Sequence, residues 1–296
     1  MMRLLSLFVL CLGFLGISVG TAHAQVRSFD DMVASGVLKV AVYEQFPPYS
    51  YQENGLARGI DVELAEALAK KQGVALELLW ITPGAKLDDD LRNFIWKGHY
   101  LRPDVLADVM LRVPYDRAFS LRRNDVGGLA NGQVHMFGPY QRERWQVAHD
   151  TRRLADVPSI AVFAYHPIGV EVNSVPSFYM TSVTNGRLSA NTRHFDSTQA
   201  AFSAMQAGQV DAMMALRGEV DWLVHQANDP QLKLAENAYP ELGRQMWDIG
   251  MAVHESNRQL AYALEGSVEE LFDSGELAAI YARYGVRYEA PELFQN

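Results

Sequence analysis

The chain has 296 residues, of which 26 are Lys or Arg and 35 are Asp or Glu, and its formal net charge is −9. An acidic surface repels phosphate backbones and anionic lipids, so the composition argues against nucleic acid and anionic membranes as partners. This length allows either one large domain or two lobes of roughly 130 residues.

The N-terminus has the pattern of a secretory signal peptide. Arg3 precedes an apolar run over residues 4–19, and an Ala-His-Ala sequence ends at Ala24. We predict cleavage after Ala24, with a retained membrane anchor as the alternative, although Gly13 and Gly16 interrupt the run and Gly20 follows it. The segment also contains the only cysteine, Cys11. The mature chain can therefore form no disulfide of its own, and we expect a periplasmic protein stabilised by its core.

The rest of the chain alternates short apolar runs with helical patterns. Strands are predicted at 38–43, 74–81, 107–113, 168–172 and 210–216, and extended segments at 134–140, 144–150 and 244–253. Helices are predicted at 61–73 with Asp61 as N-cap, at 87–98, from the N-cap Ser174, and at 197–208, 257–273 and 276–284. Residues 118–133 are a surface loop, or a helix followed by a loop. This order is typical of an α/β protein with parallel strands, and it favours two lobes with a cleft between them.

Side chains suited to recognition collect just after these strands, where ligands of open α/β sheets bind. Aromatic residues follow the first strand, arginines follow the third, and a helix start that can hold an anion follows the strand at 168–172. Each type also has a simpler interpretation, since aromatic residues at strand ends usually pack in the core and arginines usually face water. The candidate ligand-binding residues are Tyr43, Phe46, Tyr49, Arg112, Tyr115, Arg117, Glu171, Ser174 and Arg217.

No catalytic signature is present in the sequence. It contains neither a Gly-x-Ser-x-Gly elbow, nor a phosphate-binding glycine loop, nor a His-Glu-x-x-His motif, and no histidines are spaced at i, i+4. We therefore predict a non-enzymatic protein without a metal or cofactor. Glu171 is the one carboxylate to test as a general acid or base, and holding a ligand or a neighbouring arginine is the preferred role for it.

Several stretches, taken together and in order, resemble the family 3 solute-binding proteins of bacterial ABC transporters. They are LKVAVYEQFPPYSYQENGLARGIDVELAEALAKKQGV, ADVMLRVPYDR, FGPY, GQVDAMMA and ELFDSGELAAIYARYG. The resemblance implies a monomeric, two-lobed type 2 periplasmic-binding fold with a hinge of two crossing strands, which closes over a solute. The first lobe would comprise residues 25–138 and 244–296, and the second lobe residues 139–243.

The resemblance also assigns roles to single residues. Phe46 matches the family's stacking aromatic, Arg117 the arginine that holds a ligand carboxylate, and Ser174 the hydroxyl at the helix start of the second lobe. The hydroxyl-rich run before the arginine is shortened here, and Leu216 replaces the aspartate that receives a substrate ammonium. The resemblance therefore implies a small carboxylate-bearing solute other than a standard amino acid.

The shortened turn, with DDDLRNFIWKGHY and QVHMFGPYQRERW, also resembles the J proteins of methanol oxidation systems. That resemblance implies an accessory protein of a pyrroloquinoline-quinone alcohol dehydrogenase, so the partner would be either an ABC permease or this periplasmic dehydrogenase. A further alternative is a dehydratase on the same fold, with Glu171 as its acid.

Overall fold

The computed structural model describes residues 25–236 and 238–295, so the predicted signal peptide lies outside the described residues. None of the helices within these two ranges is long and apolar enough to cross a membrane. The strands are β1 (Val37–Tyr43), β2 (Tyr51–Glu53), β3 (Leu56–Arg58), β4 (Ala75–Ile81), β5 (Val109–Pro114), β6 (Val134–Asp150), β7 (Ile168–Glu171), β8 (Thr192–Phe195), β9 (Ala212–Leu216), β10 (Leu232–Ala235) and β11 (Met246–His254).

The α-helices lie between and after these strands. They are α1 (Phe29–Ser35), α2 (Ile60–Lys71), α3 (Leu87–Leu91), α4 (Arg117–Ser120), α5 (Val175–Ser182), α6 (Thr198–Gln206), α7 (Arg217–Ala227), α8 (Arg258–Asp273) and α9 (Glu276–Arg283). A π-helical turn at Arg92–Trp96 continues α3, and the 3-10 turns are Ile160–Ala164, Val183–Gly186, Ser189–Asn191, Glu255–Asn257 and Glu292–Phe294.

The main sheet has the order β4-β1-β5-β11-β6-β9-β7-β8, with β10 also paired to β6. In the first lobe, β1 is parallel to β4 and β5, and β11 is antiparallel to β5. Successive β1 residues point to opposite faces, so Val40 packs under α2 and α8 while Ala41 packs under α3. The second lobe repeats this arrangement, with β7 parallel to β8 and β9. The predicted α/β architecture is confirmed, and the sheet is mixed rather than purely parallel.

Strand β6 joins the two lobes without a break. Its first part pairs with β11 from Val134 to Arg144, and its last part pairs with β9 from Trp145 to His149. The sequence predicted two separate extended segments here, and the structure has one continuous strand. The exact lobe boundaries, at 138/139 and 243/244, stay a prediction.

Residues 285–295, the C-terminal segment, return from α9 across this joining strand. The backbone carbonyl of Glu289 accepts a hydrogen bond from the Arg142 N–H at 2.8 Å. The backbone N–H of Arg287 donates to Asp221 of α7 at 3.2 Å. The segment therefore ties the first lobe to β6 and to the second lobe.

The start of one helix differs from its prediction, and one helix was not predicted. The N-cap of α2 is Gly59, whose φ of 122° and close approach to the Tyr49 carbonyl leave no room for a side chain. Asp61 is therefore not the N-cap but lies in the first turn, where it is buried. Helix α7 begins at Arg217, directly after β9, in a segment that the sequence left unassigned.

Candidate functional site

Arg112 has a buried protein partner. It lies at the end of β5 with a left-handed φ of 61°, and only 7% of it is exposed. Its Nε and Nη2 donate to the two carboxylate oxygens of Asp61 at 2.6 and 2.8 Å. Nη2 also donates to Gln141 at 3.0 Å, and the guanidinium carbon lies 3.4 Å from the centre of the Tyr49 ring. The structure thus gives Arg112 a buried ion-pair partner within the protein, and its predicted contact with a ligand stays a prediction.

Tyr49 connects both lobes and is fully buried. Its hydroxyl donates to Glu143 of β6 and reaches the start of α7. A Cβ added at Gly218 would overlap this hydroxyl and lie 2.9 Å from the Tyr49 Cζ atom, so only glycine fits there. Tyr49 is therefore part of the contact between the lobes, and burial raises the pKa of its hydroxyl.

The other candidates at the ends of β1 and β5 are Tyr43, Tyr115 and Arg117. The Tyr43 hydroxyl donates to Asp90 at 2.9 Å, which connects the end of β1 to α3 within the first lobe. Tyr115 and Arg117 are exposed at the turn into α4. Among the described residues, no side-chain hydrogen bond or ion pair engages Arg117.

Ser174 and Arg217 both occupy helix starts in the second lobe. Ser174 is the predicted N-cap of α5: its hydroxyl accepts from the Ser177 N–H at 3.2 Å and donates to the Glu171 carbonyl at 2.6 Å. Arg217 is fully buried, and its Nη1 lies 3.0 Å from a carboxylate oxygen of Glu289 in the C-terminal segment.

A cavity of about 330 Å³ between the lobes brings Phe46 and Glu171 together, and we call it the acidic cavity. The first lobe contributes the turn after β1. The second lobe contributes the end of β7 and the first turns of α6 and α7. The lining residues are Gln45, Phe46, Pro47, Glu171, Ser197, Thr198, Gln199, Glu219, Trp222 and Leu223.

Two carboxylates, those of Glu171 and Glu219, make this cavity acidic. Glu171 ends β7, and its Oε2 accepts hydrogen bonds from the backbone N–H and the hydroxyl of Thr198 at 3.1 and 3.0 Å. Glu219 lies in the first turn of α7 and is half-buried. Desolvation raises the pKa of Glu219 to about 8, and the negative charges of Glu171 and Glu143 act in the same direction.

Aromatic rings form the walls around these carboxylates. Phe46 packs against Tyr49, with ring centres 5.0 Å apart, and Trp222 lies one helical turn after Glu219. Aromatic faces attract cations, and carboxylates pair with them, so this arrangement can hold a positively charged group. Glu219 follows a strand that the sequence predicts, whereas Trp222, one helical turn further on, carries no sequence signal of its own.

A second cavity between the lobes, of about 390 Å³, lies beside the strands that cross the hinge. It is mainly apolar: the rings of Trp145 and Trp247 have centres 5.1 Å apart, and Val175 of α5 faces them from the second lobe. An ion pair at 2.7 Å between Asp116 and Arg244 lies at its edge.

Comparison with solved structures shows that the chain has the type 2 periplasmic-binding fold predicted from the sequence. An ancestral cationic amino acid solute-binding protein is 15% identical, with a TM-score of 0.67 over 86% of this chain and 98% of that one. An amino acid ABC transporter substrate-binding protein from Streptococcus pneumoniae, solved with L-arginine, is 20% identical, with a TM-score of 0.59 over 86% and 97%. A mutant of ArgBP from T. maritima is 19% identical, with a TM-score of 0.57 over 86% and 97%.

The sequence itself gives a narrower match. Residues 38–96 match the family of bacterial extracellular solute-binding proteins, family 3. This range runs from β1 to the end of the π-helical turn and includes the turn that carries Phe46. No protein with curated annotation is detectably similar in sequence.

Proposed function

We propose that the chain is a family 3 solute-binding protein that holds a small organic cation in the acidic cavity. The observation that carries this proposal is the placement of Glu171 and Glu219 with Phe46 and Trp222 in one cavity between the lobes. Cavities of this size enclose small ligands. The names of three relatives also support a cationic ligand, since they refer to arginine or cationic amino acids.

The ligand class differs from the carboxylate-bearing solute expected from the sequence. That expectation depended on arginines in the cleft, but Arg112 pairs with Asp61 and Arg217 lies beside Glu289. Arg117 is the exposed arginine of the three, and it does not line the acidic cavity. The primary determinant is therefore the positive charge, and we propose a carboxylate contact through Arg117 as secondary.

The ionisation of Glu219 makes cation binding depend on pH. With a pKa of about 8, Glu219 is mostly protonated at pH 7 in the free protein. A cation beside it favours the ionised form, so binding releases up to one proton. Affinity for the cation should consequently rise as the pH rises from 6 to 8.

Calorimetric titration tests the proposal with ligands that differ in the charged groups they carry. L-arginine and agmatine carry the guanidinium, and L-citrulline replaces it with a neutral urea group. We expect binding of the first two, release of a proton, and at least about tenfold weaker binding of citrulline. Glu219→Gln should weaken agmatine binding by a similar factor, whereas Glu66→Gln, on the exposed side of α2, should not change it. Equal binding of arginine and citrulline would contradict the proposal.

The destination of the ligand is a second part of the proposal. We propose a periplasmic protein that delivers its solute to an ABC permease, and the transporter names of the relatives support this role. The accessory role beside a quinoprotein dehydrogenase has in its favour the shortened turn at residues 111–116 and the two stretches DDDLRNFIWKGHY and QVHMFGPYQRERW. A pull-down from periplasmic extract distinguishes the two: recovery of a quinoprotein, rather than of permease subunits from solubilised membranes, would favour the accessory role.

One observation favours acid–base chemistry as a second candidate function. The sequence showed no partner for Glu171 as a catalytic acid, and Glu219 now lies in the same cavity with its pKa raised to about 8. One relative is named as a precursor of cyclohexadienyl dehydratase. Turnover of a cyclohexadienyl acid that disappears in both Glu171→Gln and Glu219→Gln would establish this function, and no turnover would remove it.

A further inference from the structure

A separate cavity of about 560 Å³ lies outside the acidic cavity, between β6, the connection from β10 to β11, and the C-terminal segment. Arg144 and Arg287 line it together with Glu289, and we call it the arginine cavity. Its lining shares no residue with that of the acidic cavity. A ligand bound here would therefore be recognised independently of the solute in the cleft.

Three guanidinium groups surround one carboxylate oxygen in this cavity. The Oε1 atom of Glu289 lies 2.6 Å from Nη2 of Arg144, 3.0 Å from Nη1 of Arg217 and 3.6 Å from Nη2 of Arg287. Two further acids lie near this cluster: Asp221 lies close to Arg217 and accepts from the Arg287 N–H, and the buried Glu143 accepts from the Arg144 N–H at 3.0 Å. Glu143 already accepts hydrogen bonds from Tyr49 and Gln141, so Glu289 and Asp221 are the acids that contact the three guanidinium-bearing residues most directly.

The hydrogen-bond donors of the cluster are incompletely used. Arg217 is fully buried, yet none of its three side-chain nitrogens makes a hydrogen bond within the described part of the chain. Its contact with Glu289 is an ion pair without hydrogen-bond geometry. The buried Nε of Arg144 is also unpaired there. A buried donor without a partner costs free energy, so an acceptor that reaches it is strongly favoured.

The scaffold holds these groups in place without a ligand. Residues on both sides of the cavity are bonded through the backbone, since the Glu289 carbonyl accepts from Arg142 and the Arg287 N–H donates to Asp221. Glu236 lies exposed at the rim. The backbone that carries Arg287 and Glu289 is therefore fixed before an anion binds, and this lowers the entropy lost on binding, although the Arg287 side chain itself is 62% exposed.

We propose that the arginine cavity binds a small oxyanion, the carboxylate or phosphate group of a metabolite, through Arg144 and Arg287, with Arg217 as the buried positive charge behind them. Guanidinium forks match both groups, because each presents paired oxygens to two N–H donors. Glu289 competes for the same donors. Removing its charge should therefore strengthen the binding of an external anion, while removing an arginine should weaken it.

Titration with inorganic phosphate and with malonate, at constant ionic strength, tests this site. We expect at least one of them to bind and to raise the melting temperature, and the better ligand identifies the preferred oxyanion. Arg287→Ala, whose side chain is 62% exposed, should weaken binding about tenfold. Glu289→Gln should tighten it by a similar factor. Arg193→Ala, on the exposed edge of β8, is the matched control and should change nothing.

The outcomes separate this site from the acidic cavity. Agmatine binding should be the same in the wild type, Arg287→Ala and Glu289→Gln. Absence of phosphate and malonate binding in both the wild type and Glu289→Gln would overturn the proposal, as would an equal loss of binding in Arg193→Ala. If Glu289→Gln fails to fold, Arg287→Ala and the wild type still decide the question.

Discussion

The buried ion pair between Arg112 and Asp61 gives the sharpest prediction of stability. The side chains are 6% and 2% exposed, and the pair makes two hydrogen bonds at 2.6 and 2.8 Å. Asp61→Asn keeps the shape of the side chain and removes its charge. The Arg112 guanidinium would then remain buried with only Gln141 and the face of Tyr49 as its other contacts.

Removing one partner of a buried pair costs about 3–5 kcal/mol, because the remaining charge is left without compensation. The asparagine can still accept one hydrogen bond, and Gln141 accepts another, so we expect a loss near the lower end, about 3 kcal/mol. For a chain of this size that corresponds to a fall of roughly 6–12 °C in melting temperature.

Urea denaturation of the wild type and the variant measures this loss. Glu255→Gln is the control: its pair with Arg258 is 41% and 49% exposed, and its removal should cost less than about 0.5 kcal/mol. The double variant Asp61→Asn/Arg112→Met removes both charges and should recover part of the loss. A loss below about 1 kcal/mol in Asp61→Asn would refute the argument that Asp61 compensates Arg112.

Two further predictions concern the start of α7. The pKa of Glu219 is about 8 in the folded protein against an ordinary 4.5, so the folded state binds more protons between these values. Stability should therefore fall, by an amount on the order of 2 kcal/mol, as the pH rises from 5 to 8; urea titrations at both pH values should show a smaller fall in Glu219→Gln. Gly218→Ala should lose about 1–3 kcal/mol in the same assay because the new methyl group overlaps the Tyr49 hydroxyl. Gly266→Ala, with open space around it on α8, should be neutral or stabilising, and a similar loss in both alanine variants would contradict the overlap.

Local patterns were sufficient to predict most of the helices and strands. The apolar run of β1, the stripe along α2 and the Ser174 cap of α5 are encoded within a few residues, and the structure confirms them. Helix α7 was missed because it starts directly after β9 without a side-chain cap and has a glycine in its first turn. That glycine is required by a long-range contact, because a side chain at Gly218 would overlap Tyr49.

The site was harder to predict because its contacts are long-range. Phe46 and Glu171 could be found, since each lies at the end of a strand that the sequence reveals. The partner of Arg112 is 51 positions away, and that of Arg217 lies in the C-terminal segment. An arginine at a strand end has the same sequence signature whether a ligand or a distant carboxylate neutralises it. Only the packed structure distinguishes the two.

The continuous strand β6 also constrains how the chain can fold. In the first lobe, β5 pairs with β11, and β11 follows the whole of the second lobe in the chain. The second lobe, in contrast, pairs β6 with β9 and β10, which both precede β11 in the chain. During synthesis or export the second lobe can therefore complete its sheet while the edge of β5 is still open. Exposed strand edges can pair with other chains. Aggregation of this protein should therefore be most severe in molecules in which β11, residues 246–254, has not yet been synthesised or has not yet paired with β5.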